Sequence, residues 1–124
     1  MEAMDDFTLI VELCPVLRRQ LEDHARAGET VRYRDLARAA EVPGPHTIHK
    51  TTQALEAITR ADHAAGRPLI AALAVGRGNG GLPGPGFFQL LRELGRYEGP
   101  DGGDAAAEAH ARETAAVFAA YQEA

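Results

Sequence analysis

The sequence predicts a mainly α-helical domain with a small β component, on three observations. Apolar residues recur at helical spacing in several stretches, Pro/Gly-rich segments separate those stretches, and aromatic residues make up only 6% of the chain with no tryptophan. A core of Leu, Ile, Val and many Ala suits closely spaced helices better than a thick sheet sandwich. With 124 residues, 45% apolar and 25% charged, the chain has the size and composition of one globular domain.

Each element follows from a local pattern. Phe7 to Cys14 is largely apolar and partly β-branched, and Pro15 comes next. Two readings are open there: a short strand running into a helix near Pro15, or one helix from Thr8 onward that kinks at the proline, with the helix slightly favoured. Leu17, Leu21 and Ala25 then keep a helical face, and Gly28 stands where a left-handed stop belongs, so a helix ends near Ala27. Thr30 to Tyr33 is short and β-prone, and Arg34 to Ala40 is rich in helix formers with Leu36, Ala37 and Ala40 on one side. The run Pro43-Gly44-Pro45 breaks the chain. Ile48, Leu55 and Ile58, with Ala54 and Ala61, mark a second helical stripe that reaches Ala65, where Gly66 stops it.

Pro68 to Val75 is a continuous apolar run bounded by Gly and Pro, which predicts a buried strand with Leu69, Ile70, Leu73 and Val75 in the core. Gly76 to Gly86 holds six glycines and two prolines and reads as a loop, with Asn79-Gly80 as a tight-turn dipeptide. Phe87, Phe88, Leu90, Leu91 and Leu94 form an amphipathic helix that stops around Gly95. Asp104 would cap an Ala-rich helix running to about Tyr121, with Ala107, Thr114, Phe118 and Tyr121 on one face. The expected organisation is a core over 1–98, a Gly-rich flexible linker over 99–103, and a C-terminal helix over 104–124 that is free to dock or self-associate.

Cys14 is the only cysteine, which excludes an internal disulfide and a Cys-rich zinc site and fits a reducing compartment. Its apolar surroundings favour a buried, inert thiol. The first residues include Glu2, Asp5 and Asp6 in place of a basic leader, and no apolar run approaches the roughly eighteen residues of a membrane span. The expectation is a cytoplasmic protein with no membrane partner. Net charge is −5, yet residues 15–96 carry twelve basic and eight acidic side chains while the two ends together carry one basic and ten acidic. Because the field is local, the middle of the chain can attract a polyanion while the ends repel it.

The helices on either side of the Pro/Gly turn have the outline of a helix-turn-helix, in which the second helix enters the major groove by its N-terminal residues. His46, Thr47, His49, Lys50, Thr51, Thr52 and Gln53 can donate or accept hydrogen bonds there, and no acidic side chain occurs from Val42 through Leu55. An ordinary polar helix face beside a loop would carry the same residues. Arg34 opens the preceding helix, and Arg77 and Asn79 lie in the Gly-rich loop, which is either a wing laid along the phosphate backbone or a simple connection. Gly76, Gly78 and Gly81 match a dinucleotide-binding spacing, but Pro83 and Pro85 fall where its helix should open. His46 and His49 have no third ligand nearby in sequence, so no metal is expected. No catalytic residues stand out.

Val31-Arg32-Tyr33-Arg34-Asp35-Leu36-Ala37, the turn that follows, and Gln53-Ala54-Leu55 resemble the DNA-binding region of the alkylguanine-DNA alkyltransferases and alkyltransferase-like proteins. The resemblance covers at most residues 28–97. Pro68 to Val75 falls where that family carries its Pro-Cys-His-Arg active site, and apart from Pro68 none of that motif is present. The resemblance therefore implies the winged-helix scaffold without the alkyl transfer. The stretch from Thr59 to Arg67 is also longer than the family's pattern.

Together these readings predict a winged-helix-like helix-turn-helix domain with a C-terminal helix. The expected function is that of a non-catalytic DNA-binding regulator of bacterial or phage type, with duplex DNA as partner, no cofactor, and a homodimer through the C-terminal helix. The alternative is a protein–protein interaction module, such as an inhibitor or adaptor, acting through its acidic ends and that helix.

Overall fold

The computed structural model describes residues 6–78 and 81–122. Five α-helices surround one two-stranded sheet: α1 (Asp6–Ala27), β1 (Val31–Arg32), α2 (Tyr33–Ala39), α3 (Thr47–Ala65), a 3-10 turn (Ile70–Leu73), β2 (Ala74–Val75), α4 (Pro85–Glu93) and α5 (Gly103–Gln122). The strands pair in parallel, Val31 with Ala74 and Arg32 with Val75. A parallel pair needs a long crossover, and α2, α3 and the 3-10 turn supply it.

The open question at Pro15 resolves as one helix, with the proline inside α1. Pro15 is exposed, so the Val11 carbonyl that loses its backbone donor also faces solvent. Gly28, Gly66 and Gly95 all take left-handed backbone, with φ of 73°, 71° and 74°, and each follows a helix as its sequence position predicted.

The buried strand over 68–75 is corrected. Its apolar side chains are buried as expected, but Ile70–Leu73 is a 3-10 turn and only Ala74–Val75 is a strand. The cause lies outside the run: the backbone N–H of Ile70 donates to the carboxylate of Asp62 at 3.3 Å, and Ala72 N–H donates to the Leu69 carbonyl at 2.9 Å. Those amides are committed before the chain reaches the sheet, and β1 offers only two residues to pair with.

The α3 stripe is corrected as well. Thr51, Ala54, Leu55, Ile58, Thr59 and Asp62 form the buried face, while Ile48 and Ala61 are exposed. Thr51 and Thr59 fit inside because each hydroxyl donates to the carbonyl one turn back, at 2.8 Å. Asp62 is fully buried, and it is held by Arg18 at 2.9 Å and by Arg67 Nε at 3.0 Å. This three-way pairing ties α1 to α3 and to the chain leading into the 3-10 turn.

The C-terminal helix is not a loose arm in this structure. Its buried face is Ala106, Ala109, His110 and Val117, with Phe118 and Tyr121 half-buried against the main core and Ala107 exposed. Residues 94–102 connect α4 to α5, Gly103 already being the first residue of the helix, and several ties hold them: Arg92 Nη1 donates to the Gly99 carbonyl at 2.9 Å, Arg92 pairs with Asp101 at 2.6 Å, and Tyr97 Oη donates to the Pro100 carbonyl at 2.7 Å. A helix of this length is marginal alone in water, and here its own domain supplies the surface it packs on. No helix among the described residues is long and apolar enough to cross a membrane.

Candidate nucleic-acid interface

The sequence places a polar, carboxylate-free segment at the start of α3, and the structure presents it at the surface. His46 precedes the helix with left-handed backbone (φ 61°) and no side-chain cap, and its carbonyl accepts the first helical hydrogen bond from Lys50 N–H at 3.0 Å. His46 and His49 are exposed; Thr47, Lys50, Thr52 and Gln53 are half-buried. Lys50 Nζ donates to the Pro43 carbonyl at 3.2 Å, which holds the ammonium beside the turn joining α2 to α3.

The predicted residues do not form one surface. Arg34 and Thr47 line a hollow of about 490 Å³ between α2 and α3, together with Arg38 and Ile48; Glu41 is the one carboxylate among its lining residues. His49 and Gln53 lie on the other side of α3, where they line a cleft of about 450 Å³ with Tyr33, Thr52, Glu56 and Phe87. A helix turns about 100° per residue, so positions 47 and 48 on one flank and 49, 52 and 53 on the other make α3 a ridge between two depressions.

Tyr33 sets the shape of the second cleft. Its hydroxyl accepts a hydrogen bond from Gly84 N–H at 2.9 Å, which pins the end of the Gly-rich loop to the start of α2. Burial raises the Tyr33 pKa, the Gly84 bond opposes the rise, and the hydroxyl stays neutral. The loop is closed at its base by Gly76 N–H donating to the Leu82 carbonyl at 2.9 Å. Arg77 is exposed on this loop. Asn79 lies outside the described residues.

Charge pairing divides the basic side chains into two sets. Arg18 and Arg67 pair with Asp62, Arg26 with Asp23, Arg60 with Glu56 and Glu93, Arg92 with Asp101, and Arg96 with Glu113. Arg32, Arg34, Arg38, Lys50 and Arg77 have no carboxylate partner among the described residues, and they belong to the connected path β1, α2, turn, start of α3 and end of β2. Arg19 and Arg112, on α1 and α5, are the other two arginines without such a partner among the described residues. Arg32 and Arg38 were missed in the sequence reading. Arg38 was detectable, since it stands four residues after Arg34 and on the same helix face.

The half-buried Cys14 thiol donates to the Ile10 carbonyl at 3.2 Å, and burial raises its pKa against the opposing effect of Arg18, so it stays a thiol. The described residues contain no group of three His, Cys, Asp or Glu side chains placed to hold a metal ion. Comparison of the chain with protein-family models, with curated proteins and with solved structures finds no match.

Proposed function

We propose that this protein is a non-catalytic duplex-DNA-binding protein that uses its helical domain in a winged-helix-like manner. The first turns of α3 enter the major groove, and the loop after β2 lies along the backbone as the wing. The observation that carries this reading is that five of the seven Lys and Arg side chains between Arg32 and Arg77 have no carboxylate partner among the described residues, while six of the eight remaining Lys and Arg side chains of the chain are paired within the fold.

A cation already paired with a carboxylate must break that pair to reach a phosphate, and an unpartnered one need not. These five side chains are therefore the ones positioned to neutralise phosphates and release condensed counterions. Phosphate contacts fix register, and the side chains of His46, Thr47, His49 and Gln53 are left to read base edges. DNA is favoured over a protein partner on α5 because the large apolar residues of that helix, Val117, Phe118 and Tyr121, already pack on its own domain. The same packing takes away most of the contact area on which a homodimer through this helix would rest.

The test is a pair of charge variants on the intact chain. If Lys50 and Arg77 each neutralise one phosphate, Lys50→Ala combined with Arg77→Ala weakens duplex binding. The slope of log affinity against log salt then becomes shallower by about 1.8. Arg92→Ala, which removes a cation paired within the fold, leaves that slope unchanged. Equal slopes for all three proteins would refute the assignment of this face.

A further inference from the structure

Ile48 is a large apolar side chain that the fold leaves 43% exposed, at the second residue of α3. Its surroundings are polar and cationic: it shares a hollow with Arg34, Arg38 and Thr47, and His46, His49 and Lys50 are its near neighbours in sequence. The other large exposed apolar residues, Phe7 and Val11, lie on α1. The hollow also takes in Ala37, Val42 and one carboxylate, Glu41. A single exposed apolar tip beside two arginines is poorly matched to the broad apolar patch of a protein partner. It is well matched to the major groove, where phosphates flank one apolar group that belongs to a single base, the C5 methyl of thymine.

We propose that Ile48 is a thymine-reading residue, covering the C5 methyl of a thymine in the major groove and so biasing this protein toward T-containing duplexes. This rests on the DNA-binding reading above. Arg34 and Arg38 flank the hollow on α2, where they can hold phosphates while the first turn of α3 advances into the groove. Phosphates carry no sequence information directly, so the discrimination falls to the side chain between them. Ile48 is not needed for the core, which α3 reaches through Thr51, Ala54, Leu55 and Ile58.

The experiment compares two pools of randomised duplexes, identical except that one contains deoxyuridine wherever the other contains thymidine. Uracil pairs as thymine does and lacks only the methyl. The intact protein should bind the thymine pool about three- to fivefold more tightly, the change expected for burying one methyl group. Ile48→Ala should bind both pools equally, with an unchanged thermal unfolding curve. Ile48→Val should keep part of the preference. Equal binding of the two pools by the intact protein overturns the role of Ile48 while leaving DNA binding in place, and so does a preference that survives in Ile48→Ala. Binding to neither pool overturns the underlying DNA reading itself.

Discussion

Asp62 is the position where one substitution should cost the fold most for its size. Its carboxylate is fully buried, pairs with Arg18 and Arg67, and accepts the Ile70 amide. Asp62→Ala strands the Ile70 N–H in the core, at a cost of about 1–3 kcal/mol. The two guanidiniums are less demanding, because Arg18 and Arg67 keep 25% and 52% side-chain exposure and can turn toward water. Each lost pair adds about 0.5–1 kcal/mol after solvent screening. The expected loss is therefore about 2–5 kcal/mol, a large share of the roughly 5–15 kcal/mol that holds a domain together. Asp62→Asn keeps an oxygen for the Ile70 amide and should lose about half as much. Urea unfolding followed by circular dichroism measures both variants, with an unchanged slope in denaturant as the control for two-state behaviour. A loss below about 1 kcal/mol for Asp62→Ala, less than any of the buried-group costs invoked, would refute this account of the site.

Three further predictions concern α5, its connection and α4. His110 is buried, its Nε2 lies 2.7 Å from the Ala72 carbonyl, and burial depresses its pKa below the ordinary 6.5 against the opposing Ala72 bond. The unfolded chain thus takes up this proton first. The stability is complete above about pH 6.5 and declines as pH falls below it. Melting temperatures between pH 8 and pH 5 should fall more steeply for the native protein than for His110→Gln, and parallel curves would contradict the assignment. At Gly99 a Cβ would lie 2.6 Å from Tyr97 Cζ, and Tyr97 is held by its bond to Pro100, so Gly99→Ala should cost about 1–3 kcal/mol through overpacking. Gly86→Ala, with nothing within 4 Å and a place inside α4, should instead be neutral or gain about 0.5–1 kcal/mol. Thermal melts decide both, and equal effects would sink the packing argument.

The contrast between Gly28, Gly66 or Gly95 and Asp62 marks how far the sequence could be read. A glycine after an amphipathic run announces a left-handed stop by itself, because the reason is local steric freedom. Asp62 announces nothing. A charged residue at a stripe position looks like the edge of the stripe until Arg18, forty-four positions earlier, is brought beside it. The 3-10 turn was hidden for the same reason, since the carboxylate that captures the Ile70 amide lies outside the apolar run. On α5, alanines occur on every side of the helix, so periodicity alone could not choose between the Ala107–Tyr121 face and the Ala106–Val117 face.

The arrangement of the proposed site was not legible. The acid-free composition from Val42 to Leu55 put the start of α3 forward as a candidate surface for an anionic partner. Which arginines lack internal partners depended on Glu93, Asp101 and Glu113, whose pairings link residues beyond a single helix. The split of Arg34 and Thr47 from His49 and Gln53 depended on where α2 and α4 pack against α3.

The measurement that tests the central claim most directly is a salt titration of the intact protein with mixed-sequence duplex DNA. Five cations with no carboxylate partner among the described residues, each neutralising one phosphate, predict binding at low salt and a log–log slope of about −4.5. The net charge of −5 sets the opposite expectation for a chain whose field acts as a whole. Undetectable binding at low salt, or a slope near zero, would contradict the account.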